Sequence, residues 1–197
     1  MTLPTRRFAL RALLLASALL VPTLSQAADW TLDTLMQALA RHPANRATFV
    51  ETKTLAMLDA PIESSGELRF AAPDFLEMRT LKPKRQTLIL QANQVTLEMD
   101  GRSHQFDLRD HPDVAVLINS IRATLNGDCK ALQRDYTTTL DGTAASWELT
   151  LSPVDAKARA RVRRIQIGGK QGQVQTIAVL QADGDSSLMT IREQPVQ

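Results

Sequence analysis

The stretch ATFVETKTLAMLDAPIESSGELRFAAPDFLEMRTLKP, residues 47–83, decides the fold. Phe49 opens one strand, Leu68 and Phe70 share a face of the next, and Leu76 and Met78 do the same in a third. Pro61 and Gly66 mark the corner between the first two, and Pro73-Asp74 makes the turn into the third. Because successive side chains of a strand point to opposite sides, this alternation gives each strand one apolar and one charged face. Together they predict one wall of a curved antiparallel sheet. An apolar wall coating a cavity is a container.

Outward from this stretch the same period recurs. Strands are expected over 47–57, 66–71, 75–81, 86–91, 94–99 and 102–108, with Asn93-Gln94 and Asp100-Gly101 as the hairpin turns of the last three. On the apolar side these strands carry Leu88, Leu90, Leu97 and Met99. Later strands are expected over 147–151, 163–167, 174–181 and 188–192, punctuated by Gly168-Gly169-Lys170 and Asp183-Gly184-Asp185.

Two helices interrupt the strands. Leu32, Leu35, Met36 and Leu39 recur at helical spacing, with Asp29 or Thr31 as cap and His42-Pro43 as the stop. Val114, Leu117, Ile118, Ile121 and Leu125 repeat the pattern from His111-Pro112-Asp113 to Asn126-Gly127. Nine or ten strands and two helices in this length predict a strongly curved antiparallel sheet that closes on itself or is plugged. The helices at 31–41 and 112–126 are the available plugs.

The composition, 44% hydrophobic and 22% charged in 197 residues, fits one ordinary globular domain. At the N-terminus, Arg6, Arg7 and Arg11 precede an apolar run from Leu13 to Val21, then Pro22 and the small-residue site Ser25-Gln26-Ala27. That order predicts a cleavable signal peptide over 1–27, taking the general secretory route, and a single mature domain over 28–197 in the periplasm. The apolar run falls short of the roughly 20 residues a spanning helix needs. The leader holds three Arg and no acid, so the mature chain keeps 20 basic and 21 acidic side chains and shows no footprint for nucleic acid.

Candidate chemistry is sparse. Cys129 is the one cysteine, so no internal disulfide forms, and only Lys130 stands beside it as a cation. His42, His104 and His111 lie at a helix stop, a hairpin and a helix start, outside any nucleophile motif. Asp107, Asp110 and Asp113 near the last two lack metal-ligand spacing, and Asp183-Gly184-Asp185 lacks the rest of a calcium loop. Neither a catalytic centre nor a cofactor is expected. Lys157, Arg159, Arg161, Arg163 and Arg164 are locally basic and read as one strand or turn with a solvated face.

The order of leader, helix, ATFVETK, GELRFAAPDFLEMRT, hairpins, HPDVAVLINSIRATLNGD and WELTLSP resembles the outer-membrane lipoprotein carrier LolA family, more closely a divergent branch of it. The resemblance covers nearly the whole mature chain. It implies a mainly β fold with helices: an incomplete, strongly curved antiparallel barrel of about eleven strands under lid helices. It also implies a hydrophobic cavity for acyl chains, with Phe49, Leu68, Leu76 and Met78 at lining positions and Leu117, Ile118 and Ile121 on the lid. One departure stands out. The family places an Arg before the Pro of the second turn to tie sheet to lid, and this chain has Ala72.

The function expected is therefore a monomeric, non-enzymatic carrier of an acylated lipoprotein or another lipid or glycolipid, working between an inner-membrane donor and an outer-membrane acceptor. Its candidate cavity residues are Phe49, Leu68, Phe70, Leu76, Met78, Leu88, Leu90, Leu97 and Met99, under a lid of Val114, Leu117, Ile118, Ile121 and Leu125. The alternative is a sensor or interaction module that binds a lipid or peptide on the same scaffold.

Overall fold

The computed structural model describes residues 30–42 and 44–194; the expected leader lies outside them. The first helix, α1 (Leu32–Ala40), starts at Thr31, whose hydroxyl accepts from the Thr34 amide at 3.3 Å. Reciprocally, the Thr34 hydroxyl accepts from the Thr31 amide at 2.8 Å, so two end donors are satisfied. The helix buries Leu35, Met36 and Leu39.

Six strands follow as a meander: β1 (Ala44–Thr54), β2 (Ile62–Ala71), β3 (Phe75–Lys82), β4 (Gln86–Gln91), β5 (Gln94–Met99) and β6 (Arg102–Asp107). The chain then leaves the sheet for α2 (Pro112–Leu125) and α3 (Cys129–Asp135). It returns as β7 (Tyr136–Thr143), β8 (Ser146–Pro153), the short turn α4 (Ala156–Arg159), β9 (Val162–Lys170), β10 (Gln173–Gln181) and β11 (Ser186–Glu193).

All eleven strands form one antiparallel sheet in the order β6-β5-β4-β3-β2-β1-β11-β10-β9-β8-β7. Its two halves join where β11 pairs with β1, with Phe49 opposite Ile191. Strands β6 and β7 are the free edges, so the barrel is incomplete and the helices cover its open side.

Two local expectations need correction, and two elements were not expected. Gly66 lies inside β2 rather than at a corner: a Cβ there would come within 1.9 Å of the Arg79 carbonyl oxygen, so glycine answers a close approach by β3. The basic cluster is split between α4 and β9, because Asp155 caps a turn that diverts the chain at Lys157 and Ala158. Helix α3 and strand β7 carry little apolar signal. β7 reads Tyr-Thr-Thr-Thr-Leu, and only Tyr136 in it is buried.

The packed interior comes in two pieces. The larger joins α1 to β8, β9 and β10 through Leu35, Leu39, Leu149, Leu151, Ile165, Ile167 and Val179. The smaller is Leu90, Val95 and Leu108, with Leu76, Leu88, Phe106, Val114 and Ile118 against it. Helix α2 touches both pieces and bridges the space between them.

Candidate functional site

Sheet register fixes the floor of that space. Across β2, β3 and β4, Leu68 stands opposite Met78 and Met78 opposite Leu88, while Phe70 pairs with Leu76. Strand alternation aims all of them at the concave side. Overhead, α2 presents Val114, Leu117, Ile118, Ile121 and Leu125, and between roof and floor lies a cavity of about 320 Å³. The other wall comes from the C-terminal strands through Val174, Ile177, Met189 and Ile191.

The burial pattern shows why this is a cavity and not a seam. Leu68, Leu76, Met78, Leu88, Ile177, Met189 and Ile191 are only half-buried, whereas Leu90, Leu149 and Ile165 in the packed clusters are 0% exposed. The lining residues keep apolar surface without a packing partner.

The lid helix packs on both apolar clusters and is tied to its surroundings by hydrogen bonds as well. Among its described side chains the fully buried ones, Ser120 and Thr124, donate to carbonyls of their own helix, at 2.7 Å to Leu117 and 2.8 Å to Ser120. Arg122 donates to the Ala92 carbonyl at 2.8 Å, and Asn126 to the Pro73 carbonyl at 2.6 Å. Tyr136 donates to the Val116 carbonyl at 2.5 Å, and burial pushes its own phenol up to about 12. At the turn holding Ala72, Asn126 at the end of α2 reaches the Pro73 carbonyl, and Arg122 reaches the turn between β4 and β5 at Ala92.

Both ends of the cavity are polar. At one, Asn45 and Gln173 donate to Glu193 at 3.2 and 2.8 Å; burial raises the Glu193 carboxyl above its ordinary range, and His42 and Gln173 partly offset that. At the other, Glu51 and Lys53 line the cavity as an ion pair of 3.3 Å.

The expected site residues divide. Leu68, Phe70, Leu76, Met78 and Leu88 are on the lining, and so are all five helix residues. Phe49 is not. Its ring fills the space over Gly66, with a carbon 3.0 Å from where a Cβ would sit. Leu90 is off the lining as well, fully packed against Val95 and Leu108. Leu97 is half-buried beyond it, and Met99 is 40% exposed in a separate groove with Lys84 and Arg85. These positions share the concave face but lie outside the stretch where α2 stands off the sheet; at Leu90, Val114 and Ile118 pack against its cluster. Missed by the sequence reading were Ala47, Glu51 and Lys53 of β1 and the β10–β11 residues, whose alternation is visible but whose place beside β1 is not.

The remaining candidates are accounted for locally. Asp107 caps the turn at Leu108 and pairs with Arg109 at 2.6 Å, which holds its carboxyl at about 2. His111 meets the Phe106 ring edge-on at 4.5 Å. Asp185 accepts from the Ala56 amide at 2.8 Å, and burial pushes the Cys129 thiol up. Among the described residues, no group of three His, Cys, Asp or Glu side chains is placed to hold a metal. No helix there is long and apolar enough to cross a membrane.

A family model described as outer membrane lipoprotein carrier protein LolA-like matches residues 24–191. The chain belongs to this LolA-like family. No curated protein matches it. Among solved structures, it is similar to a LolA superfamily protein from Nitrosomonas europaea, at 11% identity and TM-score 0.45, covering 86% of this chain and 96% of that one. It is also similar to a chain of the Pseudomonas aeruginosa MucA/MucB complex, at 14% identity and TM-score 0.44, over 84% and 59% of the two chains. A third is a putative outer membrane lipoprotein-sorting protein domain from Vibrio parahaemolyticus, at 8% identity and TM-score 0.43, over 84% and 92%. In this LolA-like chain the open eleven-stranded sheet and its helices frame the cavity.

Proposed function

We propose that this LolA-like protein is a periplasmic carrier that takes an acyl chain of a lipoprotein, or of another lipid or glycolipid, into the cavity under α2. It receives that cargo at the inner membrane and ferries it towards an outer-membrane acceptor. The carrying observation is the half-buried apolar lining around about 320 Å³, roofed by the apolar stripe of α2. A water takes about 30 Å³ of liquid and a methylene about as much, so the space holds on the order of ten methylenes. Burying that many is favourable by about 8 kcal/mol, which offsets the bilayer contact that the same methylenes give up. One chain fits the cavity as it stands; a multiply acylated cargo requires α2 to swing outward.

Uptake of a fluorescent fatty acid by the purified mature protein tests this, together with native mass spectrometry of protein drawn from a periplasm. One chain per protein, displaced by unlabelled lipid, is the expected result. A folded protein that takes up no acyl chain at all would overturn the reading.

A further inference from the structure

Glu51 is a carboxylate placed where an apolar container has no evident use for one. It points to the concave side of β1 between Phe49 and Lys53, lines the cavity, and its side chain is only 8% exposed. Lys53, two residues on and on the same face, lines the cavity with a side chain 49% exposed. Its ammonium sits 3.3 Å from Glu51 Oε2, and the Ser64 hydroxyl donates to the same oxygen at 3.4 Å. Both contacts use Oε2. An ammonium carries three donors, and one carboxylate oxygen occupies one of them. The pair therefore offers a charged acceptor and charged donors side by side at the end of an apolar chamber.

We infer that Glu51 and Lys53 form a headgroup subsite selective for an uncharged, hydroxyl-bearing head of glycerol type on a single-chain amphiphile whose tail occupies the cavity. The inference rests on the carrier reading and adds the class of ligand. The physical reason is the neutrality of the pair. A fatty-acid carboxylate gains Lys53 but meets Glu51 a few ångströms away, so attraction and repulsion nearly cancel while its desolvation remains unreturned. A cationic head meets the converse. A head with hydroxyls donates to the carboxylate and accepts from the ammonium, and both bonds are charge-assisted. Ser64 positions the carboxylate without using up its second oxygen.

Three ligands sharing a twelve-carbon acyl chain, each below its micelle or solubility limit, separate the possibilities: glycerol monolaurate, laurate, and methyl laurate, which has no donor. By calorimetry or dye displacement the wild-type protein is expected to bind glycerol monolaurate at least tenfold tighter than laurate. Glu51→Gln should abolish or reverse that order, because Lys53 is then uncompensated and laurate gains about tenfold, while glycerol monolaurate loses its charged acceptor. Lys53→Gln, at a half-exposed position, should weaken glycerol monolaurate several-fold more than it weakens methyl laurate. If methyl laurate binds but the wild type holds glycerol monolaurate and laurate within twofold, the subsite is refuted and the carrier stands. If the folded protein binds none of the three, the carrier reading fails first.

Discussion

Replacing Ile121 by Glu puts a carboxylate into the roof of the cavity, facing Met78, Leu88 and Ile177 across about 320 Å³. A charged group there keeps water around it, and that water displaces ligand. Losing contact with even three methylenes removes about 2.4 kcal/mol at about 0.8 kcal/mol each. That corresponds to about a 60-fold loss of affinity. Stability should fall far less, by about 1 kcal/mol, because Ile121 is half-buried and its carboxylate can reach the water it brings. The contrast is Leu90→Glu on the same concave face: Leu90 is 0% exposed, and an unpaired charge there should unfold the domain. Displacement of a fluorescent fatty acid reads the affinity and urea unfolding reads the stability. Ile121→Glu binding within threefold of wild type, or unfolding as Leu90→Glu does, would refute the idea that this face of α2 borders ligand space.

Three further outcomes follow from the geometry. Arg122→Ala with Asn126→Ala removes the bonds to the Ala92 and Pro73 carbonyls and should cost about 2 kcal/mol together while speeding both uptake and release; stopped-flow rates and hydrogen exchange in α2 report it. Unchanged exchange would show that packing, not these ties, holds the lid. Gly66→Ala drives a Cβ to 1.9 Å from the Arg79 carbonyl oxygen and should destabilise by about 3 kcal/mol, read as a drop in the urea midpoint. Asp107, held at about 2 by Arg109, contributes stability that is present above its ordinary value of 3.8 and lost as pH falls through 2. Its carboxyl resonance should titrate near 2 in the wild type and move towards 3.8 in Arg109→Ala; a wild-type titration already near 3.8 would break that assignment.

What the sequence determined by itself is the periodic part. Alternation in 47–83 assigns Leu68, Phe70, Leu76 and Met78 to one face, and the spacing of Val114, Leu117, Ile118, Ile121 and Leu125 assigns one stripe of a helix, because both periods are local backbone geometry. Strand β7 escaped because threonines carry its alternation, and Gly66 misled because its reason is a neighbouring strand's carbonyl. Two matters were left to the tertiary structure. One is depth along a strand: Phe49, Leu68 and Leu97 share a face, yet only Leu68 lies under α2 at the height of the cavity. The other is the closure of β11 on β1, which brings Ile177, Met189 and Ile191 to the far wall and lets Asn45 bond Glu193, 148 positions away. Periodicity repeats every two residues and so cannot encode where a helix crosses the sheet or which distant strand completes it; those are fixed by packing of the whole chain at once.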